Sequence, residues 1–318
     1  MRNLRKKYKR MRRKQIIAVM VLFLFGTIIL GAAVQKFHDV ILAEVKKQEV
    51  LKEEAEETKK PAALEKPIVS EEPAESEKPE EIEQWIGVGP AGIGDTYDAS
   101  IISDKLGGKD SIQDDEKRVF LTFDDGTSTT VTPEILKVLD DYQVKATFFI
   151  TGANVKKGGE KAEELIRQEV ESGHAIANHS YSHDYNVLYP GRSLNLKKFL
   201  KDYEKNEQLL KDIIGEQFST RVWRCPGGFF SWNNMSILKD YMKENDKYSI
   251  DWNSLSRDAE GGKKTASQLV QNVKETANGK QTIVVLMHDT YGKEETAKAL
   301  PQIIEYFKAN GYQFKTLS

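Results

Sequence analysis

Two adjacent carboxylates, Asp124 and Asp125, end the apolar run Val119-Phe-Leu-Thr-Phe123 and lead into Gly126. Like charges in contact cost free energy unless a cation or a division of roles separates them. Such a pair at a strand exit suggests one metal ligand beside one proton acceptor. Asp-Gly is also ordinary turn chemistry, so the pair gains meaning only from residues further along the chain. His179 and His183, in His-Ser-Tyr-Ser-His, stand four apart, a spacing that lets both imidazoles face one point from a helical turn or tight loop. Joined by either aspartate they form a His, His, Asp set with room for water. That set suits Zn²⁺ first and Co, Mn or Ni as alternatives. The other aspartate would take a proton from water whose pKa the ion lowers towards ~7.

His288 follows the apolar run Val-Val-Leu-Met and is suited to protonate a leaving group. For that it must be cationic near neutral pH, which a neighbouring carboxylate favours; Asp251, on the expected adjacent strand, is the candidate partner. Arg224 either pairs with the basic aspartate or binds substrate. Asp289 is expected to serve its loop, because successive side chains diverge. His174, after Gly173, is expected to pack or hydrogen-bond near the site. Cys225 lies between Arg224 and Pro226 with no local histidine signal and is not expected to be a nucleophile. Asp125-Gly-Thr127 matches part of a phosphatase-type Asp-x-Asp-Gly-Thr loop, but the nucleophilic aspartate of such a loop would fall on Phe123.

These residues sit at the ends of short apolar segments that alternate with amphipathic ones. Strands are expected at Val119–Phe123, Ala146–Ile150, Ala175–Asn178, Val222–Arg224, Tyr248–Asp251, Ile283–Met287 and near Tyr312–Leu317. Helices are expected from Thr132, as N-cap before Pro133, to Tyr142, and over Glu160–Ser172, Ser193–Ile214, Asn234–Lys243, Ala266–Ala277 and Glu294–Asn310. Repeated βα units imply a parallel sheet, either a barrel or an open doubly wound one. Polar groups gathered at strand exits favour a barrel-type active face, irregular or incomplete at about seven strands.

The chain has 318 residues, a formal net charge of −2 and 39% hydrophobic residues, enough for one large domain with extensions. Its charge is segregated. Residues 1–15 are basic and abut an uncharged apolar run, 16–34, close to the ~20 residues that span a bilayer. Membrane insertion accounts for the basic end better than nucleic-acid binding does. The positive-inside rule keeps that end cytoplasmic and places the chain beyond the apolar run outside, as a single-pass cell-membrane protein with an extracellular enzyme. A cleaved signal peptide at Gly31-Ala32-Ala33 is the alternative. Residues 35–84 read as a charged stalk and linker, 85–117 as an irregular lead-in or small cap, and 118–318 as the catalytic domain. A single cysteine rules out an intrachain disulfide.

Taken together, Thr122-Phe-Asp-Asp-Gly126, His179-Ser-Tyr-Ser-His183, Arg224-Cys-Pro-Gly-Gly228, Asp251-Trp252 and Leu286-Met-His-Asp289 resemble the motifs of the polysaccharide deacetylase family, the NodB-homology domain of carbohydrate esterase family four. The resemblance implies an irregular (β/α)7-type barrel and a metal-dependent deacetylase. It implies Asp124 as base, Asp125, His179 and His183 as metal ligands, and His288 as acid. Asp251 would orient and charge His288, Arg224 would steady Asp124, and Trp252 and Leu286 would wall an acetyl pocket. The amide of Gly227 would hold the oxyanion. Thr127 and Gly227 depart from the pattern, which places proline and, in some relatives, an aromatic residue there. The substrate so implied is a cell-wall glycan, peptidoglycan N-acetylglucosamine first, with no nucleic acid and no obligate protein partner. N-acetylmuramic acid, poly-N-acetylglucosamine, an O-acetylated polymer or a non-catalytic glycan-binding role are the alternatives.

Overall fold

The computed structural model describes residues 84–109 and 111–318. The basic tail, the 16–34 run and all but the last residue of the 35–84 stretch lie outside the described residues. The chain divides into the units Met1–Glu77 and Lys78–Ser318, and the fold below belongs to the second.

Twelve strands are described: β1 (Trp85–Ile86), β2 (Thr96–Tyr97), β3 (Arg118–Gly126), β4 (Thr147–Ile150), β5 (Ala175–Asn178), β6 (Phe218–Ser219), β7 (Val222–Trp223), β8 (Tyr248–Ser249), β9 (Ser254–Leu255), β10 (Thr282–His288), β11 (Gln313–Phe314) and β12 (Thr316–Leu317). The main sheet runs β8-β7-β5-β4-β3-β10-β9, with β11 also on β3, and its ladders are parallel. Its edges, β8 and β9, follow each other in sequence but are not paired. The sheet is therefore a curled half-barrel, incomplete as expected, with eight strands rather than about seven.

The α-helices among the described residues are α1 (Ala99–Leu106), α2 (Thr132–Asp141), α3 (Gly152–Gly158), α4 (Glu160–Glu171), α5 (Tyr185–Leu188), α6 (Leu196–Ile214), α7 (Ser236–Glu244), α8 (Ala266–Ala277) and α9 (Glu294–Ala309). Their apolar faces follow the 3.6-residue period. In α4, Ala162, Leu165, Ile166 and Val170 are buried, and in α8, Leu269, Val270, Val273 and Ala277. Thr265 starts α8 in a capping box with Gln268. Thr132, expected as an N-cap, instead lies inside α2; its hydroxyl accepts from the Ser128 amide at 2.9 Å and donates to the Asp289 carboxyl at 2.5 Å. The Asn195 side chain caps α6, three residues later than the sequence suggests.

Alternation along the strands sorts the side chains between two cores. Val119, Leu121 and Phe123 of β3 and Ile283, Val285 and Met287 of β10 face the helices in the larger cluster. Phe120, Val284, Phe149, Ala177, Val222 and Ile250 fill the concave side. The same period carries Thr122 and Asp124, Leu286 and His288, and Arg224 onto that concave side at its C-terminal rim. The 85–117 stretch, expected as an irregular lead-in or small cap, lies on the domain that follows it. It supplies β1, which pairs β6, β2, which pairs β12, and α1, whose Ala99 and Ile102 close the bottom of the concave core.

Candidate active site

Asp124 is the last concave-facing residue of β3 and is 3% exposed. Arg224, fully buried just past β7, donates through Nη1 to Asp124 Oδ1 at 2.6 Å and to Thr122 Oγ1 at 2.8 Å. Its Nε donates to the Ile250 carbonyl at 2.7 Å, so the guanidinium is fixed from two strands. A buried carboxylate and guanidinium hold each other only when the remaining donors are also satisfied, as they are here. Arg224 thus steadies Asp124 rather than reaching for substrate.

Asp125 would point away from Asp124 in a regular strand. The β3–β4 register shifts between Asp124 and Gly126, and Asp125 is left-handed at φ 65°. This bulge re-aims the second carboxylate into the same site. A β-carbon on Gly126 would fall 2.4 Å from the Asp289 carboxyl, so the corner also requires glycine. Asn154 Nδ2 holds the Asp125 carbonyl at 2.7 Å.

His179 and His183 flank a tight loop rather than a helical turn. Asp202 Oδ2 accepts from the amides of Tyr181 and Ser182, each at 2.9 Å, and Ser180 Oγ accepts from the His183 amide at 3.0 Å. Asp125 Oδ1 lies 3.5 Å from His179 Nε2 and 3.3 Å from His183 Nε2. One ligand atom from each of the three residues lies within 4.8 Å of the others. Asp125 Oδ1 is buried without a hydrogen-bond partner among the described residues. His179 Nδ1 donates to the Arg224 carbonyl at 2.8 Å, which leaves the Nε2 lone pair facing the cluster. Burial, then His183, pulls the His179 pKa down to about 3, so the ring is neutral, as a ligand must be. An orphaned carboxylate oxygen between two imidazole nitrogens fits a divalent ion with N and O ligands.

His288 pairs in register with Asp124 across β10 and β3. Its partner is Asp258, not Asp251: Nδ1 donates to Asp258 Oδ1 at 2.8 Å, and the His288 amide donates to Oδ2 at 2.8 Å. Thr296 Oγ1 adds a third hydrogen bond to that carboxylate at 2.8 Å. Burial alone would lower the His288 pKa, but the Asp258 hydrogen bond and charge, with the charges of Asp124 and Asp125, raise it to about 9. The expected pairing fails because the strand beside β10 is β9, which the sequence does not reveal, and its exit leads to Asp258. Asp251 follows β8 at the other sheet edge, where both its oxygens accept from the Phe229 amide at 3.0–3.1 Å.

Trp252 packs against the concave core, with its ring 5.8 Å from the Arg224 guanidinium and its edge against Gly228. Leu286, 9% exposed, pairs in register with Thr122. Gly227 takes φ 78° in the loop after Pro226. Asp289 is buried beneath the site against Thr132, and burial raises its pKa to about 7, in keeping with a loop-structural role. His174 lies before β5, at the opposite end of the sheet from the site, where Nδ1 accepts from the Ala146 amide at 3.2 Å; the expectation that it sits near the site is wrong. Burial pushes the Cys225 thiol up to about 12, which removes it as a nucleophile. Sequence reasoning missed Asp258, Asp202 and Asn154, none of which closes a recognisable apolar run.

An acid and a base facing one another across a candidate ion site, on the C-terminal rim of a curled parallel sheet, define a hydrolase. A family model for polysaccharide deacetylase matches residues 111–244. A peptidoglycan-N-acetylglucosamine deacetylase of Bacillus cereus is 31% identical over 209 residues, 63% of this chain and 69% of that protein. A bifunctional xylanase/deacetylase of Pseudobutyrivibrio xylanivorans is 33% identical over 203 residues, 64% of this chain but only 30% of that protein's length. The structure of a Streptococcus mutans CE4 esterase matches with a TM-score of 0.67 at 33% identity, covering 74% of this chain and 99% of the other. The chain belongs to the polysaccharide deacetylase family, carbohydrate esterase family four.

Proposed function

We propose that this chain removes N-acetyl groups from an extracellular glycan with the help of one divalent ion, Zn²⁺ first, and that its substrate is N-acetylglucosamine in peptidoglycan. The observation that carries this reading is the convergence of Asp125, His179 and His183 on one point, between the Arg224-held Asp124 and the Asp258-held His288. A glycan-binding module would have no use for a buried base and a cationic acid held at separate strand ends. The activity for which the Bacillus cereus relative is named supports the choice of sugar. The apolar run 16–34 supports a membrane anchor that holds the domain next to the wall.

Asp125, His179 and His183 would hold the ion, which supplies Lewis acidity to the attacking water and to the acetyl carbonyl. Asp124 takes the proton from the water as its oxygen bonds to the acetyl carbon, and Arg224 keeps that carboxylate aimed. The Gly227 amide, in the loop after Pro226, is the donor that the family resemblance assigns to the carbonyl oxygen as negative charge develops there. His288, cationic and anchored through Nδ1, gives its Nε2 proton to the sugar nitrogen as the carbon-nitrogen bond breaks. The products are acetate and a free amine. Treating defined N-acetylated wall fragments with the full chain, with and without a chelator, tests this by mass spectrometry. Acetyl loss from N-acetylglucosamine units is expected; loss elsewhere, or none, would sink the substrate assignment.

A further inference from the structure

Tyr185 opens α5 two residues after His183, and nothing in the mechanism above uses it. Its ring is clamped on two sides, 5.4 Å from the His183 imidazole and 5.0 Å from the Trp232 indole. Trp232 is itself immobilised: it stacks on Tyr189 at 4.2 Å with planes 6° apart, and its Nε1 donates to the Pro226 carbonyl at 2.9 Å. The Asp184 carboxylate caps the turn by accepting from the Asn186 amide at 2.8 Å, and the Tyr185 carbonyl accepts from the Tyr189 amide at 2.8 Å. The residue is thus rigidly held, yet 43% exposed, and its hydroxyl makes no hydrogen bond among the described residues. A fixed donor facing open space has its proton available for a ligand.

The position of that hydroxyl is specific. Tyr185 Oη stands 3.3 Å from the point where a β-carbon on Gly227 would lie, and Trp232 stands 3.0 Å from the same point. Gly227 is where the chain departs from the aromatic residue that some relatives carry. The glycine leaves there a space bordered by Tyr185 of α5 and by Trp232, five residues further along the same loop. The phenol hydroxyl therefore shares one small volume with the backbone N–H expected to meet the acetyl oxygen, on the side of the site that His183 borders.

We propose that Tyr185 is a catalytic residue whose hydroxyl donates a hydrogen bond to the acetyl oxygen, beside the Gly227 amide, as that oxygen becomes an anion. No bond to Tyr185 forms or breaks, and the phenol keeps its proton throughout. The inference rests on the deacetylase reading of the site. A donor matched to the developing charge acts on the transition state more than on bound substrate, so its removal is read in kcat.

The test compares wild type and Tyr185→Phe as full chains loaded with Zn²⁺, with a chitin oligomer as probe, measuring kcat and KM separately and Zn²⁺ affinity on the apo proteins. Phenylalanine keeps the ring packing and removes only the hydroxyl. Expected is a kcat lower by about 10- to 100-fold, at or below the range for loss of one oxyanion donor, with KM and Zn²⁺ affinity within about twofold. An unchanged kcat, a loss confined to KM, or a matching loss of Zn²⁺ affinity would overturn the assignment. Wild-type turnover in the same assay separates the two levels, since no acetate release by the wild type overturns the deacetylase reading itself.

Discussion

Replacing Asp258 with Asn removes the charge that keeps His288 cationic, and the consequence can be worked out as a pH profile. With Asp258 present the imidazole titrates at about 9. Without it, burial is the largest remaining influence, and the pKa should fall to the ordinary ~6.5 or below. At pH 8 the protonated fraction drops from roughly 0.9 to roughly 0.03, a loss of about 30-fold. At pH 6 the loss from protonation is under about twofold. The assay is kcat/KM for deacetylation from pH 5.5 to 9.5, where the descending limb should move down by at least about two units. The group also links pH to stability. Because its pKa is raised in the fold, His288 stabilises the protein fully below about 6.5, and that stabilisation, about 3 kcal/mol, is lost as pH climbs through about 9. The variant should lack this alkaline slope in its melting temperature. A descending limb that stays in place in Asp258→Asn, or that shifts instead in Asp251→Asn, would refute the pairing.

Asp124→Asn should bind Zn²⁺ as wild type does in calorimetry yet lose at least about 100-fold in kcat if, as proposed, Asp124 acts on the proton and not on the ion. Asp125→Asn or His183→Ala should instead weaken Zn²⁺ binding and shrink the metal-induced rise in melting temperature, which for the wild type should correspond to about 2.7 kcal/mol at a free concentration 100 times Kd. Arg224→Met leaves Asp124 buried and unpaired, so denaturant unfolding should show a loss of about 3–5 kcal/mol, together with collapse of turnover.

Much of the site was legible because polar residues at the ends of apolar strands are rare and costly, and Asp124, His179, Arg224 and His288 all stand there. The role of Asp125 was legible only through family resemblance, since strand alternation places it on the wrong face and the bulge that corrects this leaves no pattern in the residues. Asp258 was hidden by its strand: β9 is two residues long, too short to show a period, so the longer Tyr248–Asp251 segment drew the assignment to Asp251. An incomplete barrel was legible, but the place where it opens was not. β8 and β9 are neighbours in sequence, yet each pairs elsewhere, and hydrogen-bond partners cannot be read from apolar runs. The 85–117 stretch looked irregular because its two strands are two residues each and find their partners in β6 and β12, both far along the chain.

The proposed mechanism places one ion between Asp125, His179 and His183 beside a free carboxylate base. Titrating metal-free full chain with Zn²⁺ while following acetate release from N-acetylglucosamine oligomers tests this most directly. Activity should rise from near zero and saturate at one ion per chain. Full activity in the chelated protein, or no release at saturation, would contradict it.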